Sequence, residues 1–144
     1  MTATLTLLAL APAAEARPSL TRMCNSDLIV EAGSTGSGSS FEVSSRPRDA
    51  ARDLDADGGT DLYWNDMWDC VNGGYRGAGL SDSQGESLYQ QLWCHINFEF
   101  GGQFGGDTWD LEARRPPIPW DQVRSPRRAY EHECNWDEAG NPSS

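Results

Sequence analysis

Apolar positions recur at helical spacing in two stretches of the chain. Leu62, Tyr63, Met67, Trp68 and Val71 lie close to three- and four-residue steps and predict a helix over 61–71. Gly59 and Thr60 before it and Gly73–Gly74 after it supply its start and stop signals. Leu88, Tyr89, Leu92, Trp93 and Ile96 repeat the spacing and predict a second helix over about 86–97. A rival pattern runs through the same residues. Leu92, Cys94, Ile96, Phe98 and Phe100 alternate with Trp93, His95, Asn97 and Glu99, as they would along a strand. The helix is preferred because Gln90–Gln91 interrupts the alternation and leucine-rich runs of this length suit helices.

Shorter signals fill the remainder. Leu28-Ile29-Val30 and Phe41–Ser44 read as strands, the second bounded by Pro47. Arg48–Leu54 is expected to make a helical turn or two, and Arg124–Tyr130 another short helix. Trp109–Ala113 suits a short strand or a helical turn, while Pro116-Pro117-Ile118-Pro119 is expected to be extended. Gly33–Ser40 has the composition of a flexible linker, Gly73–Gly85 that of a loop, Gly101–Gly106 that of a turn-rich corner around Phe104, and Asn135–Ser144 that of a frayed tail. The expected organisation is a leader over 1–16, a flap and linker over 17–40, a main domain over 41–136 and a disordered tail over 137–144. The fold class that follows is α+β: one small domain of short helices and a few short strands.

The ends and the cysteines bear on where such a domain works. Leu5–Ala14 is a short apolar run, and Ala14-Glu15-Ala16 fits a small-residue cleavage site before Arg17, although no basic residue precedes the run. Export as a secreted protein is the expectation, with no membrane anchor, because no other run is long and apolar enough to provide one. All 11 basic residues are arginine and the formal net charge is −11, which disfavours general binding to nucleic acid or to an anionic membrane surface. Cys24, Cys70, Cys94 and Cys134 all follow the cleavage point, and an even number in a small exported domain reads as two disulfides. Of the three pairings, Cys24–Cys70 with Cys94–Cys134 is preferred because neither loop then nests inside the other.

Four groups of residues raise chemistry. Asp53, Asp55, Asp57 and Gly58 form the first half of a calcium loop, and Asp61 falls where a ninth-position ligand belongs. Trp64 occupies the twelfth position, where a bidentate glutamate is needed, so a solvated acidic loop is preferred to a calcium site. His95 and Glu99 would share a helical face. A Cys94–Cys134 bridge would also bring His95 near His132, and with Glu112 these make enough ligands for a catalytic zinc. A structural hydrogen-bonding histidine beside the disulfide is the plainer alternative. Finally, Arg114, Arg115, Arg124, Arg127 and Arg128 lie close to Trp109, Trp120 and Tyr130, a composition shared with binding hot spots. Against this, the arginines could pair with the acidic half of the chain, and the tryptophans could be core.

The pattern made by Gln90, Cys94, His95, Phe98, Trp109, Asp110, Leu111, Glu112, Arg115, Pro116, Cys134 and Asn135 resembles a family of secreted actinobacterial proteins, domain of unknown function 2599. A weaker likeness runs upstream through Phe41-Glu42-Val43, Arg52 and Trp64. Asp110 and Ala113 depart from the usual pattern, and Cys24 and Cys70 are additional to it. The resemblance implies export and supports the Cys94–Cys134 pairing, and it implies no activity.

The function expected on these grounds is an extracellular binding module, monomeric, for a protein or a cell-surface glycan. Its contact surface is expected to include Trp109, Arg114, Arg115, Trp120 and Arg127. The alternative is a metal-assisted hydrolase with His95 and Glu112 as catalytic groups and His132 as a further ligand. Calcium and zinc are the only cofactors the residues raise, and neither is required.

Overall fold

In the computed structural model, the structure describes residues 22–71, 74–98, 106–137 and 139–141. The leader over 1–16, Glu99 and most of the glycine-rich corner lie outside these residues. Four strands form one antiparallel sheet in chain order: β1 (Arg22–Met23), β2 (Ile29–Thr35), β3 (Glu42–Pro47) and β4 (Trp109–Glu112). Among the described residues six α-helical segments accompany it: α1 (Asp49–Arg52), α2 (Ala56–Val71), α3 (Gly74–Gly77), α4 (Asp82–Phe98), α5 (Trp120–Val123) and α6 (Pro126–His132). The class is α+β, a small single domain, as the sequence suggests.

Alternation decides the sheet. In β4, Trp109 and Leu111 are buried while Asp110 and Glu112 are half-exposed, and Ser45 of β3 lies opposite Trp109 in the register. Buried hydroxyls in β3 are satisfied: Ser45 accepts a 2.8 Å bond from the Tyr63 hydroxyl, and Ser44 donates to the Asp110 carboxylate. The glycine- and serine-rich run read as a linker is instead structured. Gly33–Thr35 complete β2, paired with Glu42–Ser44, and Gly38–Ser40 form a 3-10 turn whose Ser40 reaches back to Ser37. Composition reports backbone freedom in the unfolded chain, whereas the β3 neighbour decides what the segment does when folded.

Two helices carry the packing. Along α2 the buried positions Tyr63, Met67 and Cys70 recur at four- and three-residue steps and face the sheet and α4. The helix begins at Ala56, five residues before the periodic run, so Gly58 and Gly59 are helical. Gly59 is required by a close approach: a Cβ there would lie 2.6 Å from the Leu54 Cβ. α4 also starts early, at Asp82, and shortens the expected loop. Ser81 and Gln84 form a capping box, the Ser81 N–H donating to Gln84 Oε1 at 2.9 Å and the Gln84 N–H to Ser81 Oγ at 3.2 Å. Every residue from Gln90 to Ile96 is buried, so α4 is a central helix and not an amphipathic surface one. The strand reading of 92–98 is excluded.

α4 supplies two cores. Leu88, Leu92 and Ile96 join Ile29, Val43, Tyr63, Met67, Trp109 and Leu111 under the sheet. Trp93, Cys94 and Phe98 join Ile118, Val123, Ala129, Cys134 and Trp136 beneath the C-terminal helices. Each core contains one disulfide, Cys24–Cys70 in the first and Cys94–Cys134 in the second, with Cα atoms 5.3 and 5.5 Å apart. Trp136 closes the expected main domain. Trp136 is fully buried, and its indole N–H donates to the Pro116 carbonyl at 2.6 Å.

Candidate functional site

Gln90 and Gln91 are adjacent on α4 and therefore about 100° apart around its axis. Each uses its side-chain amide as a strand-like partner for a different piece of main chain. Gln90 Oε1 accepts from the Ile118 N–H at 2.9 Å while its Nε2 donates to the Ile118 carbonyl at 2.7 Å. Gln91 Oε1 accepts from the Glu112 N–H at 2.9 Å while its Nε2 donates to the Glu112 carbonyl at 3.1 Å. One amide pins the proline-rich segment and the other the end of β4. They fix where the residues between them, 113–117, must lie.

That placement separates the residues proposed for a zinc site. His95 is 0 % exposed and lies parallel to Trp109, with ring centroids 5.9 Å apart. His132 belongs to the other core, edge-on to Trp136 at 5.4 Å. Burial pushes its pKa down from 6.5 to about 4, with Arg128 adding to the effect, so the ring is neutral at pH 7. Neither of its nitrogens has a hydrogen-bond partner among the described residues. Glu112 is engaged by Arg114 at 3.0 Å and by Arg115 at 2.5 Å. The bridge does bring the chain around His95 and His132 together, but each imidazole packs on its own tryptophan. Among the described residues no three histidine, cysteine or acidic side chains are grouped to hold a metal.

Among the described residues the acidic run does not take the backbone of a calcium loop. Such a loop wraps its ligands around the cation with a sharp glycine turn. Here the chain is already helical from Ala56, which carries Asp61 onto α2, where it accepts a 2.7 Å bond from the Tyr89 hydroxyl. Asp53 and Asp55 are exposed in the short connection before α2, and the Asp57 side chain lies outside the described residues.

The expected contact surface divides. Trp109 is core, packed on Tyr63 at 4.8 Å as well as on His95. Arg115 is mostly buried; it pairs with Glu112 and donates to the Trp136 carbonyl, and burial lowers its pKa while Glu112 pulls it back up. Both serve the fold. Arg114 is half-buried on Glu112. Arg127 has an 88 % exposed side chain and pairs with Glu131 one turn away on α6. Trp120 is half-exposed, donates its indole N–H to Glu86 Oε1 at 2.8 Å and lies under the Arg124 guanidinium, 5.1 Å from the ring centre.

Trp120 turns out to be one end of a run of rings that the sequence reading missed. Tyr89 is 6.3 Å from Trp120, Trp64 is 5.4 Å from Tyr89, and Tyr75 is 6.1 Å from Trp64. All four are half-exposed. Between α2, α3 and α4 three of them, Trp64, Tyr75 and Tyr89, border an open cleft of about 320 Å³, with Arg76, Asp82 and Glu86 on its rim. Gly85 shapes it: a Cβ there would meet the Tyr75 ring at 2.7 Å, so only glycine lets Tyr75 lie against α4. A signal was available, since Glu86, Tyr89 and Trp93 fall at steps of three and four along one face of α4. Separately, the proline-rich segment borders a cleft of about 370 Å³ with Gln122, Arg128 and Asn141.

The family model described as "Protein of unknown function (DUF2599)" matches residues 30–136. No curated protein and no solved structure matches the chain.

Proposed function

We propose, for a chain that belongs to the DUF2599 family, the role of an exported binding module acting outside the cell on a protein or a cell-surface glycan. The observation that carries this reading is the continuous run Tyr75–Trp64–Tyr89–Trp120. Half-exposed aromatic rings beside an arginine and several carboxylates form a rigid, amphipathic contact surface that loses little entropy on docking. Export is supported by the leader-like segment over 1–16 and by the two disulfides. Among the described residues no helix is long and apolar enough to cross a membrane.

The test is retention of protein or glycan from envelope and culture-medium fractions on the immobilised chain. Trp120→Ala and Arg124→Ala are expected to reduce retention of a saturable partner by about tenfold, the usual effect of truncating an anchor. Arg127→Ala, on α6 and outside the run, should leave it unchanged. Equal retention by all three variants would refute the surface.

A further inference from the structure

We propose that the cleft bordered by Trp64, Tyr75 and Tyr89 is a carbohydrate subsite for neutral sugar rings. This rests on the binding reading above and names its ligand class. Three of the four aromatics along the run have their polar atom tied to a carboxylate: the Tyr89 hydroxyl to Asp61 at 2.7 Å, the Trp120 indole to Glu86 at 2.8 Å, and the Tyr75 hydroxyl to Asp82 at 3.4 Å. An ionised carboxylate has about four lone-pair sites, so Asp61, Asp82 and Glu86 keep acceptor capacity beyond the one or two bonds each already takes. The surface therefore alternates ring carbon with hydrogen-bond acceptors at the ring edges. A pyranose is built to the same plan, with an apolar C–H face and hydroxyl donors around its rim.

Other ligand classes fit less well. An anionic polymer meets Asp82 and Glu86 on the cleft rim of a chain whose formal charge is −11. A cationic group would be repelled by the chain's own Arg76, which pairs with Asp82 at 2.8 Å on the cleft rim, whereas a neutral ring is not, and the Trp64 and Tyr89 rings also border the cleft. A purely apolar ligand would strand the acceptors at the ring edges without donors. A volume of about 320 Å³ is at the lower end for small-ligand sites, suiting one or two sugar rings of a longer chain that continues towards Trp120.

Trp64 within the cleft provides a fluorescent reporter. Titration with cellohexaose, chitohexaose and a mannan oligosaccharide, with alginate and choline alongside, should give a saturable change in tryptophan emission with a neutral sugar only. Tyr75→Ala should abolish it. Asp82→Asn, at an exposed side chain that leaves the fold intact, should weaken it by about fivefold or more, with melting temperature unchanged. No change with any of the three neutral sugars overturns the proposal, as does a change with choline or alginate alone, or a response that both variants preserve. If the sugars fail while retention of a protein partner stays sensitive to Trp120→Ala, the sugar assignment falls and the binding role stands. If both fail, both readings fall.

Discussion

The two cores that share α4 are closed by different means. Under the sheet, main chain pairs with main chain across β2, β3 and β4, and side chains fill what the backbone encloses. Beneath the C-terminal helices no strand ladder is found among the described residues. α5 and α6 are one and two turns long, and Glu133 and Cys134 both adopt left-handed backbone (φ 48° and 61°) as the chain turns to meet Cys94. Helices this short are not stable by themselves. Their positions come from the disulfide, from Gln90 on Ile118, from the Trp136 indole on Pro116 and from Arg115 on the Trp136 carbonyl. A core made from irregular chain depends on a few side chains that reach main chain, so single substitutions should act more sharply there.

Breaking the bridges sets that contrast most strongly. Each closes a loop of similar length, with sequence separations of 40 and 46, and chain entropy alone gives about 4 kcal/mol to either one. Equal loss from the two double Cys→Ser variants would mean that entropy is the whole effect. The expected outcome is that removing Cys94–Cys134 also frees α5 and α6, seen as a selective loss of amide protection over 117–136, while the first bridge causes no such local release.

Lowering the pH should come next. His132 is neutral in the folded chain, its pKa lowered from 6.5 to about 4, so between these values the unfolded chain binds the proton and the folded one does not. Its contribution is therefore fully present above about pH 6.5 and is lost as pH falls towards 4. Denaturant midpoints of wild type and His132→Phe should diverge as pH drops through that window, with the variant the more resistant. Parallel curves would show that the ring is hydrated or paired.

The glutamines offer the finest comparison because they are neighbours with equivalent bonds. Gln90→Ala and Gln91→Ala each leave one buried N–H and one carbonyl unsatisfied, costing about 2 kcal/mol apiece. Gln91→Ala should lower stability without loosening β4, which retains β3. Gln90→Ala should in addition raise exchange at Ile118, which has no strand beside it.

Why some of this was legible follows from the same division. The spacing of Leu88, Leu92 and Ile96 reported a helix because burial selects side chains directly, and the cysteine count reported two bridges. The Ser81–Gln84 capping box and the face shared by Glu86, Tyr89 and Trp93 were present in the sequence and overlooked. The rest was not encoded locally. Gly33–Thr35 is a strand because β3 lies beside it, and Asp55–Gly59 leads into a helix because Leu54 packs on Gly59. For the site, composition located arginines and tryptophans but not their exposure. Trp109 and Trp120 look alike in a sequence, yet one is sealed beneath Tyr63 and the other is half-exposed and bonded to Glu86.

The adjacency of Gln90 and Gln91 also governs what length changes α4 can accept. One residue inserted ahead of them would rotate every following side chain by about 100°. Gln90 would then turn towards the end of β4 and Gln91 past it, while Cys94 swung away from Cys134 and Leu92 and Ile96 left the sheet. Neither core could compensate, since each is wired to the opposite flank of the same turn. Insertions and deletions that preserve the fold are thus confined to the connections before Asp82 and after Phe98, and gap placement in related sequences would record that restriction directly.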